Sequence, residues 1–385
     1  MSTDATIMVD ARYLDGTTKG IGRYTEYLLR GLLDIDDRLR LHLITHPKRP
    51  QPIDDDRVRC QPFGADPSSL STRFVLSRCV DFSGVDLFHS PFGFLPATLP
   101  VPAVTTIHDI MWLVDSSLFT PGIIRRLVTG TYYRTFMPRA VRQASAVLTV
   151  SHHSRRAIEE RFPDAAGRVD VTYNGVDPFF RPQPPEEAWP KLSKWLAPKS
   201  PFVLVVGQGS PYKNHPGAAR GFVEAFGDDP EVYFVMVRRP KTGRTDTSEL
   251  NAVLDDPRLN SRVIRLDYVS GPELRALYSM ARAFLFPSLY EGFGLPALEA
   301  MACNTPVVTS DFGATAEVCG EAAALVDPEE PGEIASALRR LLYNDEYHDK
   351  MQRRARKRAD QFSWRHCARQ TLKTYRRILS QSGVL

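Results

Sequence analysis

Several features that would mark particular protein classes are missing from this 385-residue sequence. Its five cysteines lie far apart with no C-x-x-C spacing, which argues against a zinc site or a disulfide framework and favours a reducing, cytoplasmic setting. No apolar run approaches the ~18 residues of a membrane-spanning helix. The first residues lack a basic region followed by an apolar core, so no signal peptide is expected. A formal net charge of +4 is too small to suggest nucleic acid as a partner.

Common catalytic motifs are absent as well: there is no HExxH, P-loop or G-x-S-x-G. The adjacent acids Asp54, Asp55 and Asp56 are similar to a metal-binding cluster, but they lie in the proline-rich polar segment Pro50–Arg59, predicted to be a solvated loop. The pair His152–His153 has no partner at metal-ligand spacing. We therefore expect no metal site.

Short β-branched runs alternate with amphipathic segments along almost the whole chain. Arg23–Leu33, for example, carries apolar residues at helical spacing. Strand and helix repeated in this way predict an α/β fold with parallel sheets buried on both faces. The first predicted strand series is Thr6–Val9, Leu41–Thr45, Leu87–Ser90, Val104–His108, Ala146–Ser151 and Val169–Tyr173, and the second is Phe202–Gly207, Val232–Val237, Val263–Leu266, Ala283–Pro287, Pro306–Ser310 and Ala323–Val326.

A proline-rich stretch separates the two series. Because proline lacks an N–H group and fixes φ, residues 177–200 cannot join a sheet interior and are interpreted as an interdomain linker. Two doubly wound, Rossmann-like domains are predicted on either side, at residues 1–176 and 201–361. Ligands bind outside the carboxyl ends of such strands, so the cleft between the domains is the expected site.

Glycines follow the first predicted strand. Gly20 and Gly22 open a helix, where backbone N–H groups could meet a phosphate or a sugar. The segment does not match a dinucleotide-binding fingerprint, because Thr25 stands where a small residue is required. Glycines that only ease a tight turn are the alternative.

The most informative segment is Phe286–Val308. A strand ends at Pro287, Glu291 heads a glycine-containing loop, and a helix begins near Pro296. Glu299 follows Glu291 by eight residues, and two acids at this spacing can bracket one polar ligand. The helix N-terminus and the glycine amides offer donors to phosphate.

This pattern resembles the E-x7-E signature of the retaining family-four glycosyltransferases, which have the GT-B fold. The resemblance extends over nearly the whole chain. Other segments that agree with it are Leu266–Tyr278, Asp311–Ala323, Tyr173–Asp177 and Thr106–Asp109.

The resemblance implies a nucleotide-sugar donor site. Glu291 would approach the sugar hydroxyls, and Glu299 would accept hydrogen bonds from the ribose hydroxyls. Lys213 would neutralise the diphosphate and the charge that develops on it as leaving group. Tyr268 and Val269 occupy the positions whose backbone contacts the base. The other donor-binding residues expected are Gly20, Gly22, Gln208, Arg238, Gly292, Phe293, Gly294 and Leu295.

One departure concerns the diphosphate. Gln208 stands where the family often carries an arginine, whereas Arg238 follows the next predicted strand, where relatives commonly have glycine. We hypothesise that Arg238 turns toward the diphosphate in compensation.

His108 ends a predicted strand beside Asp109. A satisfied core histidine is one interpretation, but the resemblance places His108 near the anomeric centre as a catalytic residue with Lys213 and Glu291. It is not assigned as a general base, because in retaining members the departing diphosphate oxygen is thought to help deprotonate the acceptor.

The charge pattern suggests how the acceptor is held. Residues 116–158 contain no acid, and the arginine-rich segment 123–142 also carries interleaved aromatic residues. Such a segment could rest on anionic lipid or hold a polyprenyl diphosphate acceptor. Alternatively, the aromatic side chains pack inward and the arginines are solvated. The second basic run, Arg353–Arg358, is interpreted as a solvated helix face.

The function implied is a metal-independent hexosyltransferase without a cofactor, which uses a glycan, lipid-linked or small-molecule acceptor in cell-surface polysaccharide synthesis. GDP-mannose is the first choice of donor, because the motifs most resemble those of O-antigen mannosyltransferases, and UDP- or dTDP-sugars remain open. The enzyme would be cytoplasmic, with peripheral contact at the inner face of the membrane. As in relatives, residues 362–385 would cross back to the N-terminal domain. A catalytically silent GT-B partner subunit and a GT-B nucleotide-sugar epimerase are the alternatives.

Overall fold

The computed structural model describes residues 5–14, 20–49, 51–115, 123–239 and 247–383. These residues form two compact units. The first contains the described parts of Met1–Ile110, Thr131–Gly175 and Ser363–Leu385, and the second those of Met111–Gly130 and Val176–Phe362. One boundary differs from the predicted domains, because the described residues of 111–130 group with the second unit. The described residues from Ser363 onward group with the first unit, to which residues 362–385 were expected to return.

The first unit is built on a seven-stranded parallel sheet of order β3-β2-β1-β4-β5-β6-β7. The chain adds strands outward from β1 in one direction and then from β4 in the other, so the order reverses between these neighbours. Such a reversal is where open α/β sheets bind ligands. The strands are β1 (Thr6–Asp10), β2 (Arg40–Thr45), β3 (Val58–Pro62), β4 (Leu87–Ser90), β5 (Ala103–Ile107), β6 (Ala146–Thr149) and β7 (Val169–Val171).

The second unit has a six-stranded parallel sheet of order β10-β9-β8-β11-β12-β13, which reverses between β8 and β11. Buried apolar side chains on these strands, among them Phe234 and Leu285, form its core with those of the surrounding helices. The predicted doubly wound α/β class is confirmed for both sheets. The strands are β8 (Phe202–Gln208), β9 (Tyr233–Arg239), β10 (Val263–Leu266), β11 (Ala283–Phe286), β12 (Val307–Ser310) and β13 (Ala323–Val326).

Helices connect most of the strands. None among the described residues is long and apolar enough to cross a membrane. In chain order they are α1 (Gly20–Ile35), α2 (Leu70–Phe74), α3 (Leu76–Cys79), α4 (Met111–Val114), α5 (Ile123–Gln143), α6 (His152–Arg161), α7 (Pro185–Leu192), α8 (His215–Phe226), α9 (Ser248–Leu254), α10 (Gly271–Met280), α11 (Leu295–Ala302), α12 (Gly313–Cys319), α13 (Pro331–Tyr343), α14 (Asp345–Ala359) and α15 (Trp364–Gln381).

Residues 177–200, predicted to be an interdomain linker, contain α7 and group with the second unit. Pro185 is the first residue of the helix, where a missing N–H group costs no hydrogen bond. The helix packs on α10. Lys194, just after it, pairs with Glu273 of α10 at 2.5 Å. The segment is thus an ordered part of the second unit.

Strand β3 was missed for a physical reason. It begins at Val58, inside the segment Pro50–Arg59 that was predicted to be a loop. As an edge strand it has one neighbour, β2, and only its first residue is fully buried. Such a strand does not need the continuous apolar run that identifies the central strands of a parallel sheet. Asp55, in the preceding turn, pairs with Arg57 at 2.7 Å.

The aromatic residues of α5 pack inward, as the alternative interpretation of the arginine-rich segment had it. The rings of Tyr132 and Tyr133 each lie 5.0 Å from that of Phe94, and Phe136 lies 4.8 Å from Tyr132. Met137 is buried. The side chains of residues 123–126 lie outside the described part of the structure. The aromatic side chains described here therefore belong to the packing of the unit rather than to a free surface.

Helix α15 completes the first unit by packing on α1. Trp364 stacks on Tyr27 with ring centroids 5.2 Å apart. A Cβ atom added to Gly175 would lie 2.1 Å from the backbone nitrogen of Trp364. No other residue allows the chain to pass so close to the start of the helix.

A buried polar network ties α15 to the sheet. His89 of β4 is fully buried, with Nδ1 2.5 Å from the Tyr375 hydroxyl and Nε2 2.8 Å from Oγ1 of Thr106. The Tyr24 hydroxyl lies 3.0 Å from the same Thr106 oxygen. Burial, with a smaller contribution from the charge of His108, lowers the pKa of His89 to about 3. The imidazole is therefore neutral at physiological pH.

This network predicts a pH dependence of stability. Below the ordinary pKa of histidine, the unfolded chain binds a proton at His89 and the folded protein does not. The folded protein therefore loses stability as the pH falls. From about pH 5.5 to about pH 4, we expect His89 to lower the free energy of unfolding by about 1.3 kcal/mol per pH unit. In urea titrations, His89→Gln should reduce this slope by that amount. The exposed His366→Gln variant serves as the control, and equal slopes for wild type and His89→Gln would contradict the assignment.

Candidate functional site

Two loops meet at the point where the second sheet reverses. Strands β8 and β11 are parallel neighbours, and each ends at the same edge of the sheet. The backbone N–H of Leu289, after β11, donates a hydrogen bond to the Tyr212 carbonyl oxygen, after β8, at 2.7 Å. Residues separated by more than seventy positions in sequence are thereby held together. This is the position expected for a ligand site in an open α/β sheet.

Lys213 and Glu291, both predicted site residues, form an ion pair across these loops. Nζ of Lys213 lies 2.5 Å from Oε1 of Glu291, and only 9% and 12% of the two side chains are exposed. The ammonium group also lies 4.6 Å from the centroid of the Phe286 ring. A charge held this far from water needs its partner, so removing either residue would leave the other uncompensated.

The backbone conformation of Asn214 fixes the position of the preceding residue, Lys213. Asn214 adopts a left-handed conformation with φ of 49°, which asparagine tolerates better than most residues. Its side chain caps α8 by accepting a hydrogen bond from the Gly217 N–H at 3.1 Å. Its amide nitrogen donates to the Pro328 carbonyl oxygen at 2.7 Å. The Lys213–Asn214 sequence is therefore a fixed turn that opens a helix.

Helix α11 starts at the glycine loop after β11. Gly294 is its N-cap with φ of 101°, a value that disfavours any side chain. A Cβ atom there would also lie 3.0 Å from Cγ2 of Thr315. Pro296 stands in the first turn, as predicted. The N-terminus of α11, where the helix dipole is positive, therefore directly follows the loop that carries Glu291 and Gly292.

Glu299, on α11, is only 5% exposed. The Tyr278 hydroxyl donates a hydrogen bond to its Oε2 at 3.3 Å. Phe293 is buried against Phe362, with ring centroids 5.8 Å apart, so its side chain is part of the core. Its predicted contribution, a backbone amide, does not require the side chain.

The basic run Arg353–Arg358 is more than a solvated face. Arg356 donates to the Ala302 carbonyl oxygen, at the end of α11, at 2.8 Å. Arg358 donates to the Val318 carbonyl oxygen of α12 at 2.7 Å. Because the last carbonyls of a helix lack internal partners, these arginines cap two helices that border the site.

Arg238 lies beside the position where Gln208 replaces an arginine. Gln208 is exposed at the end of β8, and Gly207 pairs with Arg238 in the sheet. A Cβ atom on Gly209 would lie 2.7 Å from Nη2 of Arg238, so the guanidinium covers this glycine. Its Nε is buried without a hydrogen-bond partner, and burial lowers the pKa of the group.

Sequence reasoning missed His215. This residue is 4% exposed and, with Arg238 and Asn214, lines a cavity of about 330 Å³. Burial, followed by the positive charges of Arg238 and Lys213, lowers the pKa of His215 to about 3. It is thus a neutral group among cations. Its place directly after the Lys213–Asn214 turn was the available signal.

Tyr268 and Val269 follow β10 at the same edge of the sheet. The Tyr268 side chain is 70% exposed, whereas Val269 is buried. The next residue, Ser270, caps α10 in a reciprocal capping box with Glu273, which fixes the backbone after Val269. The structure does not by itself link these residues to a base.

In the first unit, His108 directly follows β5. Its Nε2 lies 3.0 Å from the Pro91 carbonyl oxygen, and its ring packs edge-on against Tyr24 at 4.7 Å. Burial lowers the pKa of His108 to about 4. Because a carbonyl oxygen only accepts, Nε2 carries the proton and Nδ1 is the acceptor.

Gly20 and Gly22 stand at the start of α1. No heavy atom lies within 4 Å of a Cβ added at Gly20, whereas Gly22 is buried. Lys19, before them, lies outside the described residues. Across the described part of the chain, no group of three histidine, cysteine, aspartate or glutamate side chains is arranged to hold a metal ion.

Comparison with known proteins identifies the family. The family described as "Glycosyltransferase Family 4" matches residues 18–179, and "Glycosyl transferases group 1" matches residues 190–358. The O-antigen chain mannosyltransferase B of Escherichia coli is 31% identical over 293 residues, which cover 75% of this chain and 74% of that protein.

Solved structures share the fold. Sucrose-phosphate synthase from Thermosynechococcus elongatus matches with a TM-score of 0.75 and 21% identity, over 98% of this chain and 100% of that one. HepE from Anabaena, in complex with UDP and glucose, matches with a TM-score of 0.72 and 20% identity, over 96% and 99% of the respective chains. The chain belongs to family four of the glycosyltransferases and has the GT-B fold.

Proposed function

We propose that this glycosyltransferase moves a hexose from a nucleotide sugar to a glycan, lipid-linked or small-molecule acceptor in cell-surface polysaccharide synthesis, with retention of anomeric configuration and without a metal or cofactor. The observation that carries this proposal is the buried Lys213–Glu291 pair at the sheet reversal, next to the N-terminus of α11. A cation, a carboxylate and the positive end of a helix are partners that suit a sugar diphosphate.

The second unit holds the donor in this proposal. Lys213 and Arg238 bind the diphosphate, together with backbone N–H groups from Gly292 to Leu295. As the bond to the sugar breaks, negative charge grows on the diphosphate, and the nearby ammonium stabilises it. Glu291 holds Lys213 in place and accepts hydrogen bonds from sugar hydroxyls. Glu299 accepts from the ribose hydroxyls.

His108 acts as a neutral hydrogen-bonding group. With Nε2 donating to Pro91, its Nδ1 is left as an acceptor for a sugar hydroxyl. The lowered pKa keeps the imidazole uncharged at neutral pH, so it adds no positive charge beside an oxocarbenium-like sugar. Deprotonation of the acceptor falls to the departing diphosphate oxygen, on the same face of the sugar as the leaving group.

GDP-mannose is the proposed donor, because the curated relative described above is a mannosyltransferase of O-antigen chains. The same relative supports an acceptor that is a growing glycan chain, which in this proposal is lipid-linked. An enzyme working on such an acceptor would be cytoplasmic and would contact the inner face of the membrane. UDP- and dTDP-sugars are the competing donors.

A donor screen tests this proposal. Thermal unfolding would be followed with GDP, UDP, dTDP and ADP and with their common sugars. A ligand that binds only the folded protein stabilises it by about 2.7 kcal/mol at one hundred times its dissociation constant. We expect a shift with GDP and GDP-mannose alone, and donor hydrolysis that EDTA leaves unchanged. If none of the four nucleotides raises the unfolding temperature, the alternative of a catalytically silent subunit is favoured. NMR of the glycoside product would show its anomeric configuration, and inversion would contradict the proposal.

The two proposed diphosphate cations can be tested against each other. We expect Lys213→Ala and Arg238→Ala each to weaken donor binding by about 10- to 100-fold, the loss of one or two charge-assisted hydrogen bonds. Isothermal titration provides the measurement. Arg265→Ala, which removes an arginine from neighbouring strand β10, should leave affinity unchanged. If Arg238→Ala behaves like this control while Lys213→Ala abolishes binding, Arg238 does not replace the missing arginine.

We expect the substitution His108→Ala to lower turnover more than it lowers donor affinity. His108→Ala removes a hydrogen bond that strengthens as the sugar reacts, so kcat is expected to fall about tenfold, equivalent to roughly 1.4 kcal/mol. Donor affinity, measured by titration, should change less than about twofold. Equal losses in turnover and affinity would show that His108 acts only in binding.

A further inference from the structure

A cavity of about 720 Å³ lies in the first unit, between α2 and the C-terminal half of α5. Its wall includes Arg73, Phe74, Leu95, Phe136, Arg139 and Arg142. Arg142 comes shortly before β6, whereas His108 comes directly after the neighbouring strand β5. The cavity therefore reaches the end of the sheet opposite His108 and is separate from the site described above.

Arg73 is the unusual member of this wall. It is only 4% exposed, and its guanidinium carbon lies 4.8 Å from the ring centroids of both Phe94 and Phe136. One terminal nitrogen donates to the Leu95 carbonyl oxygen. The other terminal nitrogen and Nε complete no hydrogen bond, although the Tyr132 hydroxyl approaches the group. A buried cation with unused donors is costly unless an anion meets it.

No carboxylate offsets this charge. Among the described residues, none forms an ion pair with Arg73, and no aspartate or glutamate lines the cavity. Arg139 adds a second positive charge close enough to lower the pKa of Arg73 after the larger effect of burial. Arg142, in the last turn of α5, adds a third. The cavity thus combines three positively charged side chains with apolar ones.

Apolar side chains continue from the cavity onto the surface. Phe74 belongs to the wall and is 52% exposed. Its neighbours on and after α2, Leu70 and Val75, are 58% and 42% exposed. An exposed apolar patch next to a set of arginines suits a ligand that has an anionic head and an apolar chain.

We propose that this cavity binds the phosphate group of a membrane lipid, with Arg73, Arg139 and Arg142 as its donors and Phe74 in contact with the lipid chain. Planar guanidinium groups with two free donors match phosphate oxygens in pairs. The site would hold the first unit at an anionic membrane. It rests on the proposed function only for the membrane contact, because lipid binding here requires no donor or transfer.

Vesicle flotation tests the site directly. The full-length wild type would be floated with phosphatidylcholine vesicles and with phosphatidylcholine vesicles that contain phosphatidylglycerol. The cavity variant is Arg139→Gln/Arg142→Gln. The control, Arg134→Gln/Arg156→Gln, removes the same charge from exposed positions of α5 and α6 that do not line the cavity. Both variants keep Arg73 and the two rings that it contacts, and thermal unfolding of each variant would verify that it is folded.

We expect the wild type to float only with the phosphatidylglycerol vesicles. The cavity variant should bind at least tenfold more weakly than the control, whose loss reflects general attraction of about 1 kcal/mol per arginine near an anionic surface. Equal losses in the two variants, or no flotation of the wild type, would overturn the proposal. Donor-induced thermal shifts should be unchanged in the cavity variant, which separates this result from a failure of the proposed transferase activity.

A second variant distinguishes a lipid from free phosphate. Ala97, exposed and part of the cavity wall, would be replaced by glutamate to place a carboxylate beside the arginines. In titrations, dihexanoyl phosphatidic acid should bind the wild type and not Ala97→Glu. Inorganic phosphate should bind more weakly than the lipid, because it lacks the apolar chain. Equal affinity for the two probes would overturn the lipid assignment.

Discussion

The ion pair between Lys213 and Glu291 is the constraint on which the rest of the site depends. It joins the loops after β8 and β11, the two strands from which the second sheet grows in opposite directions. Each partner comes from a backbone that is fixed by its own sequence: the left-handed turn at Asn214 on one side, the glycine N-cap of α11 on the other. The pair therefore holds a buried positive charge at the edge of the sheet where β8 and β11 end.

Four cations that are buried or half-buried among the described residues differ in how they are compensated. Arg12 and Lys213 each meet a carboxylate, at 2.6 Å from Asp10 and 2.5 Å from Glu291. Buried Arg73 packs between aromatic rings and has two buried nitrogen atoms without partners, and half-buried Arg238 covers Gly209 and has one. A cation that the protein does not neutralise retains its full attraction for an anionic ligand. Arg73 and Arg238 are for this reason the cations to which we assign phosphate groups in the two proposals above.

Sequence patterns foretold the central strands well, because strands buried on both faces need continuous apolar runs. They also located Lys213, Glu291 and Glu299 on the right loops and helix. Edge strand β3 was not predicted because it lacks such a run. Helix α7 was not predicted because prolines, which are tolerated in a first helical turn, are otherwise typical of helix breaks. Sequence patterns could not predict three features: the position of the Arg238 guanidinium over Gly209, the burial of His215 and the cavity at Arg73. Each arises from packing between residues that are distant in sequence.

The position of α15 has a consequence for how the protein is made. The first sheet is complete in sequence by residue 171, but the helix that covers α1 and carries Tyr375, the hydrogen-bond partner of His89, begins at residue 364. During synthesis the intervening unit emerges first, so the first unit waits with an apolar helix face uncovered and a buried histidine short of its partner. Its final packing therefore waits until residues 364–381 are available, and until then that face is open to chaperones or to aggregation.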